Sequence, residues 1–183
     1  IFTSGSAALV LAFIYLPLLT IIWYSFSAES VNSFPIKAYS LEWYKVMAND
    51  DSLLRAVASS LRVAFASTVI ALIIGIPATF ALHKFEFPGK RMVERIVLMP
   101  ITLPGIVTGV AMLSFFPRIG VELSLVAVGI GHITFLLAIV VTQLLSRFKR
   151  LDPNLEQAAY DLGATPLRAF FTVIIPNIRT AII

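Results

Sequence analysis

Cysteine is absent from the 183 residues, so disulfides, thiol nucleophiles and thiolate metal sites are excluded. Charge is scarce as well. Only 13% of residues are Asp, Glu, Lys or Arg, against about 25% in an ordinary soluble domain. Histidine occurs only at His83 and His132, and no H-E-x-x-H pair exists. Neither a G-x-x-x-x-G-K-[ST] phosphate cradle nor a G-x-S-x-G elbow is present, so the chain has no nucleotide-hydrolysing or serine-hydrolase constellation of its own. No catalytic residue, metal site or bound cofactor is therefore expected, and any energy source must be a partner or an ion gradient.

What the chain has instead is long apolar runs, with 58% of residues hydrophobic. The stretches 1–27, 63–82 and 96–117 contain no charged side chain, and 123–146 contains only His132. Each reaches the roughly 20 residues that a helix needs to cross a ~30 Å hydrocarbon core. The composition thus predicts an all-α, polytopic transmembrane helical bundle. Spans are expected at about 6–28, 57–82, 96–117 and 123–146, with a fifth starting near 177. The first run is too long for a signal-peptide core and is read as a retained span. A chain that starts without Met and stops inside an apolar run is expected to be a fragment of a longer protein.

The net charge of +4 invites a nucleic-acid reading, but the basic residues sit in loops between spans, not in a binding stripe. Lys84, Lys90, Arg91 and Arg95 follow the second span; Arg147, Lys149, Arg150, Arg168 and Arg179 follow the fourth. The opposite loops hold Lys37, Lys45, Arg55, Arg62 and Arg118. Basic residues mark cytoplasmic loops, which places both even-numbered loops and the N-terminus in the cytoplasm. The segment 28–52 is then external. In it, Ser40 is expected to cap a short helix bearing Trp43 and Tyr44, rings suited to the membrane interface.

The third run carries Pro100, Pro104, Gly105 and Gly109. A proline removes a helical hydrogen bond and kinks the span, and Gly105-x-x-x-Gly109 forms a small-residue face for close helix approach. A bent helix near a transport pathway is one reading; ordinary packing is the other. Pro100, Pro104, Gly105, Phe115 and Phe116 are the pathway candidates. His132 is open to a functional or a packing role; with no carboxylate in any complete span to relay protons, packing is favoured.

The stretch 152–176 interrupts the apolar pattern. Asp152-Pro153 reads as an N-cap with proline at the first helical position. Leu155, Ala158, Ala159 and Leu162 then form one apolar stripe, and Gly163 stands where a left-handed cap needs glycine. Thr165-Pro166 starts a second helix, with Leu167, Phe170, Phe171 and Ile174 repeating the stripe. This predicts two short amphipathic helices hinged at a glycine. A DNA-reading helix-turn-helix is excluded by the tethers to the bilayer and the lack of a basic recognition face.

Gln157-Ala158-Ala159, Gly163, Val173, Ile175 and Pro176 fit the spacing E-A-A-x3-G-x9-I-x-L-P. In this the chain resembles the permease subunits of binding-protein-dependent ABC importers. It departs at the acid, where Gln157 stands and Glu156 lies one position earlier. Trp43-Tyr44, Ser60-Leu61, Gly75-x-Pro77, Met99-Pro100, Leu103-Pro104-Gly105 and His132-Ile133-Thr134-Phe135 are similar to the spermidine/putrescine branch. The resemblance covers about residues 10–183. It implies a type I importer (MetI-like) architecture, an ABC ATPase subunit dimer that binds the ATP, and a second permease subunit, identical or not. A periplasmic substrate-binding protein and a place in the bacterial inner membrane are also implied. Glu156, Gln157, Ala158, Ala159, Asp161, Gly163, Ala164 and Pro176 become the ATPase-coupling candidates within a cytoplasmic segment 152–176. The rival classes are an ion-gradient-driven secondary transporter, which lacks its usual coupling carboxylates here, and an importer for iron, phosphonate, sulfate or thiamine.

The topology has a direct check, made clean by the absence of native thiols. Single cysteines at Ser33 and Asn154 should label from opposite sides of the membrane; labelling from one side refutes the assignment.

Overall fold

The structure, a computed structural model, describes residues 2–31, 33–152 and 154–179. Among them it is almost entirely helical and divides into two compact units, residues 1–59 and 60–183. Among the described residues, three helices are long and apolar enough to cross a bilayer, and a fourth span is added if one sharply bent pair is counted as broken.

In the first unit, residues 25–41 connect α1 (Phe2–Tyr24) to α2 (Glu42–Ala48). The C-terminal end of α1 is held by aromatic and hydroxyl contacts. Trp23 Nε1 donates to the Tyr39 hydroxyl at 2.9 Å, the Ser25 and Tyr44 hydroxyls lie 2.6 Å apart, and the Phe26 and Tyr44 rings are 5.6 Å apart. Main-chain bonds from Ala28 to Ala38 and from Ser40 to Phe26 close the loop. Ser40 accepts from the Glu42 N–H, but Leu41, not Ser40, stands at the cap of α2. The Asp50 carboxylate accepts from the Ser52 and Leu53 N–H groups and so opens α3 (Asp51–Lys84).

In the second unit, the rest of α3 packs along α6 (Leu125–Phe148). The buried face of α3 is Ser67, Ala71, Gly75 and Thr79, a four-residue repeat of small side chains, followed by Leu82. Ser67 Oγ donates to the Gly129 carbonyl across the pair, and Thr79 Oγ1 returns its proton to its own helix at Gly75 O. A hydroxyl in a low-dielectric seam must be satisfied in this way, because an unpaired one costs on the order of 1–3 kcal/mol. Gly75 is the tightest point: a Cβ there would lie 2.6 Å from Val140 Cγ1 and 3.3 Å from Leu137 Cδ1. The close approach expected at Gly105 and Gly109 is not seen among the described residues, none of which lies within 4 Å of a Cβ at either.

The expected third span is two helices, α4 (Lys90–Thr102) and α5 (Gly105–Arg118), bent by 106°. Pro100 is accommodated inside α4. The break falls at Leu103-Pro104, where Leu103 is extended (φ −94°, ψ 143°). A residue before proline is pushed out of the helical region, so Pro104 acts through Leu103. After α6, the chain forms α7 (Asn154–Asp161) and α8 (Pro166–Ala169), a widened π turn (Phe170–Ile174) and α9 (Ile175–Ile178). Most of the fifth span expected from about 177 lies outside the described residues.

Gly75→Leu should overpack the α3–α6 seam and cost about 1–3 kcal/mol. Thermal unfolding of the purified protein in detergent should fall by several degrees, whereas Gly109→Leu should leave it nearly unchanged.

Candidate functional site

The segment after α6 is built as two short helices on a rigid seat. The carboxylate of Asp152 accepts from the Asn154 N–H at 2.9 Å and starts α7; Pro153 lies outside the described residues. At the other end Gly163 has φ +81°, with its N–H bonded to Tyr160 O and the Ala164 N–H to Ala159 O, both at 2.9 Å. That pair of bonds closes the last turn as a Schellman motif, whose left-handed residue favours glycine. Thr165 follows as N-cap of α8, accepting from the Arg168 N–H, with Pro166 at the first helical position. Pro176 cannot donate to the preceding turn, and the chain widens into the π turn just before it. Asn177 Nδ2 donates to Val173 O there.

The apolar stripe of α7 is not its inward face. Of Leu155, Ala158, Ala159 and Leu162, only Ala159 is buried, and Leu162 is 89% exposed. Glu156, Ala159 and Tyr160 point inward instead. Lys84, at the end of α3, donates to the Glu156 carboxylate and, at 3.2 Å, to the Tyr160 hydroxyl; Tyr160 also donates to Glu156. The Lys84 ammonium lies 5.3 Å from the Phe80 ring centre and 5.5 Å from that of Tyr160. Burial pushes the Glu156 carboxyl up, but the bonds from Lys84 and Tyr160 outweigh it and hold it below the usual carboxylate range. Glu156, one position before the place of the signature's acid, is thus engaged within its own chain. The Gln157 side chain is exposed and makes no hydrogen bond among the described residues.

Behind α7, Leu144 and Phe148 of α6 form a buried cluster with Ile174 and Ile178, lined by Phe80, Phe170 and Ile175. The Phe80 and Phe170 rings meet edge-on at 5.0 Å, and His83 stacks on Phe148 at 5.3 Å. Arg147 adds a forked bond from Nε and Nη2 to Asn177 O, each 3.2 Å. Leu167 and Phe171 are left open on the far side, 69% and 60% exposed. Ala158, Asp161 and Pro176 are exposed, and Ala164 is half-buried. Lys84 and Arg147 were read from sequence only as loop cations, and Tyr160 and Asn177 not at all; the ties of Lys84 to α7 and of Arg147 to Asn177 span 30–76 residues, which no local pattern shows.

Among the pathway candidates, Gly105 and Phe116 line a cleft of about 660 Å³ between α5 and α6, with Thr108, Ser124, His132 and Phe135. Pro100, Pro104 and Phe115 do not line it. His132 Nδ1 is 2.9 Å from the Val128 carbonyl of its own helix, so the ring donates there and its Nε2 is left as an acceptor.

With helices fit for a bilayer and this two-helix segment at their end, the protein class is defined by comparison. Residues 68–183 match the family described as binding-protein-dependent transport system inner membrane component, and the chain belongs to that family. It is 32% identical over 178 residues to the putrescine transport system permease protein PotI of Escherichia coli (strain K12), covering 93% of this chain. It is 31% identical over 179 residues to the spermidine/putrescine transport system permease protein PotC of the same strain, covering 98% of this chain and 67% of the relative. Similarity of 31% over 178 residues extends to the molybdate/tungstate permease WtpB of Pyrococcus furiosus, with 95% and 65% covered. The chain spans 63% of the length of PotI. It is therefore a helical membrane protein of a transport-permease family, with polyamine permeases among its relatives.

The Glu156 tie has a pH signature. A carboxyl held below its ordinary value stabilises the folded state at neutral pH, and that contribution is lost as pH falls from about 4.5 through the folded value. Glu156→Gln should remove on the order of 1 kcal/mol. Amide protection in α7 should drop several-fold at neutral pH and should no longer weaken on acidification, whereas the parent protein should weaken.

Proposed function

We propose that the chain is the membrane-spanning subunit of an ATP-driven importer, which takes a small polyamine from a periplasmic binding protein. The segment 152–176 docks on one subunit of an ABC ATPase dimer, and a second permease subunit, identical or not, completes the pathway. The observation that carries this reading is the Gly163 turn. It joins two short helices whose open side presents Leu162, Leu167 and Phe171, while their closed side is fastened to α3 and α6. An apolar knob on a rigid base can be pushed by a partner and pass the push to its spans. Gln157, Ala158, Asp161 and Ala164 share the segment with the knob, and the exposed Gln157 supplies the polar contact that the signature assigns to an acid. Nucleotide chemistry stays in the ATPase; this subunit moves and does no covalent work. The N-terminus lies in the cytoplasm, and the spans sit in the bacterial inner membrane.

Two supports favour a polyamine. Its permeases are among the relatives, and a cleft with Phe116, Phe135 and an imidazole acceptor suits an alkylammonium better than a dianion. A second reading, an oxyanion cargo, is favoured by the similarity to a molybdate/tungstate permease. Uptake of labelled putrescine and of labelled molybdate into cells carrying the full system separates the two.

The coupling reading is tested at Gly163. Among the described residues no neighbour lies within 4 Å of a Cβ there, so it is the left-handed backbone that opposes a side chain. Gly163→Val should cost about 1–3 kcal/mol locally. The subunit should still reach the membrane in normal amount, while transport and stimulated ATP hydrolysis fall at least ten-fold. Normal transport at equal abundance refutes the reading.

A further inference from the structure

A threonine inside an apolar helix ordinarily returns its proton to the carbonyl four residues earlier. Thr68, Thr79, Thr134 and Thr142 all do so, at 2.6–2.9 Å. Thr108 of α5 does not. Its Oγ1 is buried and has no hydrogen-bond partner among the described residues. The side chain lines the cleft of about 660 Å³ between α5 and α6. A hydroxyl kept from water without a partner is destabilising, so this one is held open for a group that enters the cleft.

On the α6 side of the same cleft, His132 repeats the condition. Its Nδ1 donates to the Val128 carbonyl at 2.9 Å, so the neutral ring keeps a lone pair on Nε2, which has no hydrogen bond among the described residues. Hydrocarbon can satisfy neither group.

The remaining walls decide what the partner is. No Asp, Glu, Lys or Arg lines the cleft; Met112, Leu113 and Leu136 do, with the rings of Phe116 and Phe135. A dianion would need cations or several N–H donors, and would lie against the negative faces of the rings. A primary ammonium needs acceptors instead. A hydroxyl oxygen, an imidazole lone pair and aromatic faces all serve it. Neutral acceptors can replace the hydration of a cation without gripping it as a carboxylate would, which suits a group that must leave again. The hydroxyl then offers a lone pair to the ammonium and its proton to the water that enters with it.

We propose, on the polyamine reading above, that Thr108 and His132 take one primary ammonium end of the cargo, with its methylene chain along the apolar walls between Phe116 and Phe135.

The complete permease complex, otherwise free of cysteine and bearing Met112→Cys in the cleft wall, provides the test. A water-soluble methanethiosulfonate should modify this thiol, and putrescine or butylamine should slow the reaction several-fold. Butanediol and molybdate should leave the rate unchanged. Thr108→Val combined with His132→Leu should abolish the protection. Thr108→Ser combined with His132→Gln, which keeps an acceptor at each place, should retain most of it. A thiol that the aqueous reagent does not reach puts the cleft in lipid or against protein. Protection by molybdate or butanediol means that the cleft does not select an ammonium, and unchanged protection in the apolar double variant means that these two side chains do not hold it. Each of these results overturns the proposal. Uptake of putrescine by the parent complex is measured alongside. Normal uptake without protection overturns the roles of Thr108 and His132 alone; absent uptake removes the polyamine reading and these roles with it.

Discussion

Everything at the functional end of this protein rests on the contact of α3 with α6. The two helices come close enough at Gly75 for Val140 to fill the place of a side chain. That approach aligns Phe80 and His83 of α3 with Phe148 of α6 at the ends of the two helices. Without the small-residue seam, these rings could not stack, and Ile174 and Ile178 would have no floor. In lipid, where helices gain little from hiding apolar surface, close van der Waals contact and satisfied hydroxyls do this holding. Ser67 and Thr79 show the second requirement, each placing its proton on a backbone carbonyl.

The seat so formed differs in kind from the spans. It combines buried aliphatic and aromatic packing with a polar tie, Lys84 to Glu156 and Tyr160, and a forked tie, Arg147 to Asn177. An exposed ion pair contributes little, but Glu156 and Lys84 keep only 22% and 32% of their side-chain surface, and a phenol completes the network. Two independent polar ties at the two ends of a short segment resist its rotation as well as its separation. A knob held in this way moves with its helices.

Local signals in the sequence carried the spans and the hinge. Charge-free runs mark helices that lie in lipid, because the bilayer tolerates neither charge nor unpaired backbone. Gly163 was legible because a Schellman turn needs only consecutive residues. The break between α4 and α5 was half-legible: Pro100 and Pro104 were both seen as bending sites, but only Leu103-Pro104 opens the chain, through the extended residue before the proline. Periodicity marked the apolar stripe of α7 but not the face it turns to the protein: the inward side is polar, and most of the stripe is left open. Lys84, 72 residues from Glu156, gives no sign in the sequence of the partner that draws Glu156 and Tyr160 inward.

The central claim is that the segment 152–176 and the ends of α3 and α6 form one rigid body. Spin labels at Asp161→Cys and Ser146→Cys, in the complete complex, measure it by pulsed dipolar spectroscopy. A single narrow distance that is the same in the nucleotide-free and ATP-trapped states is the predicted result. A shift or a second population on ATP binding would show that the segment moves against its seat, and would contradict the account.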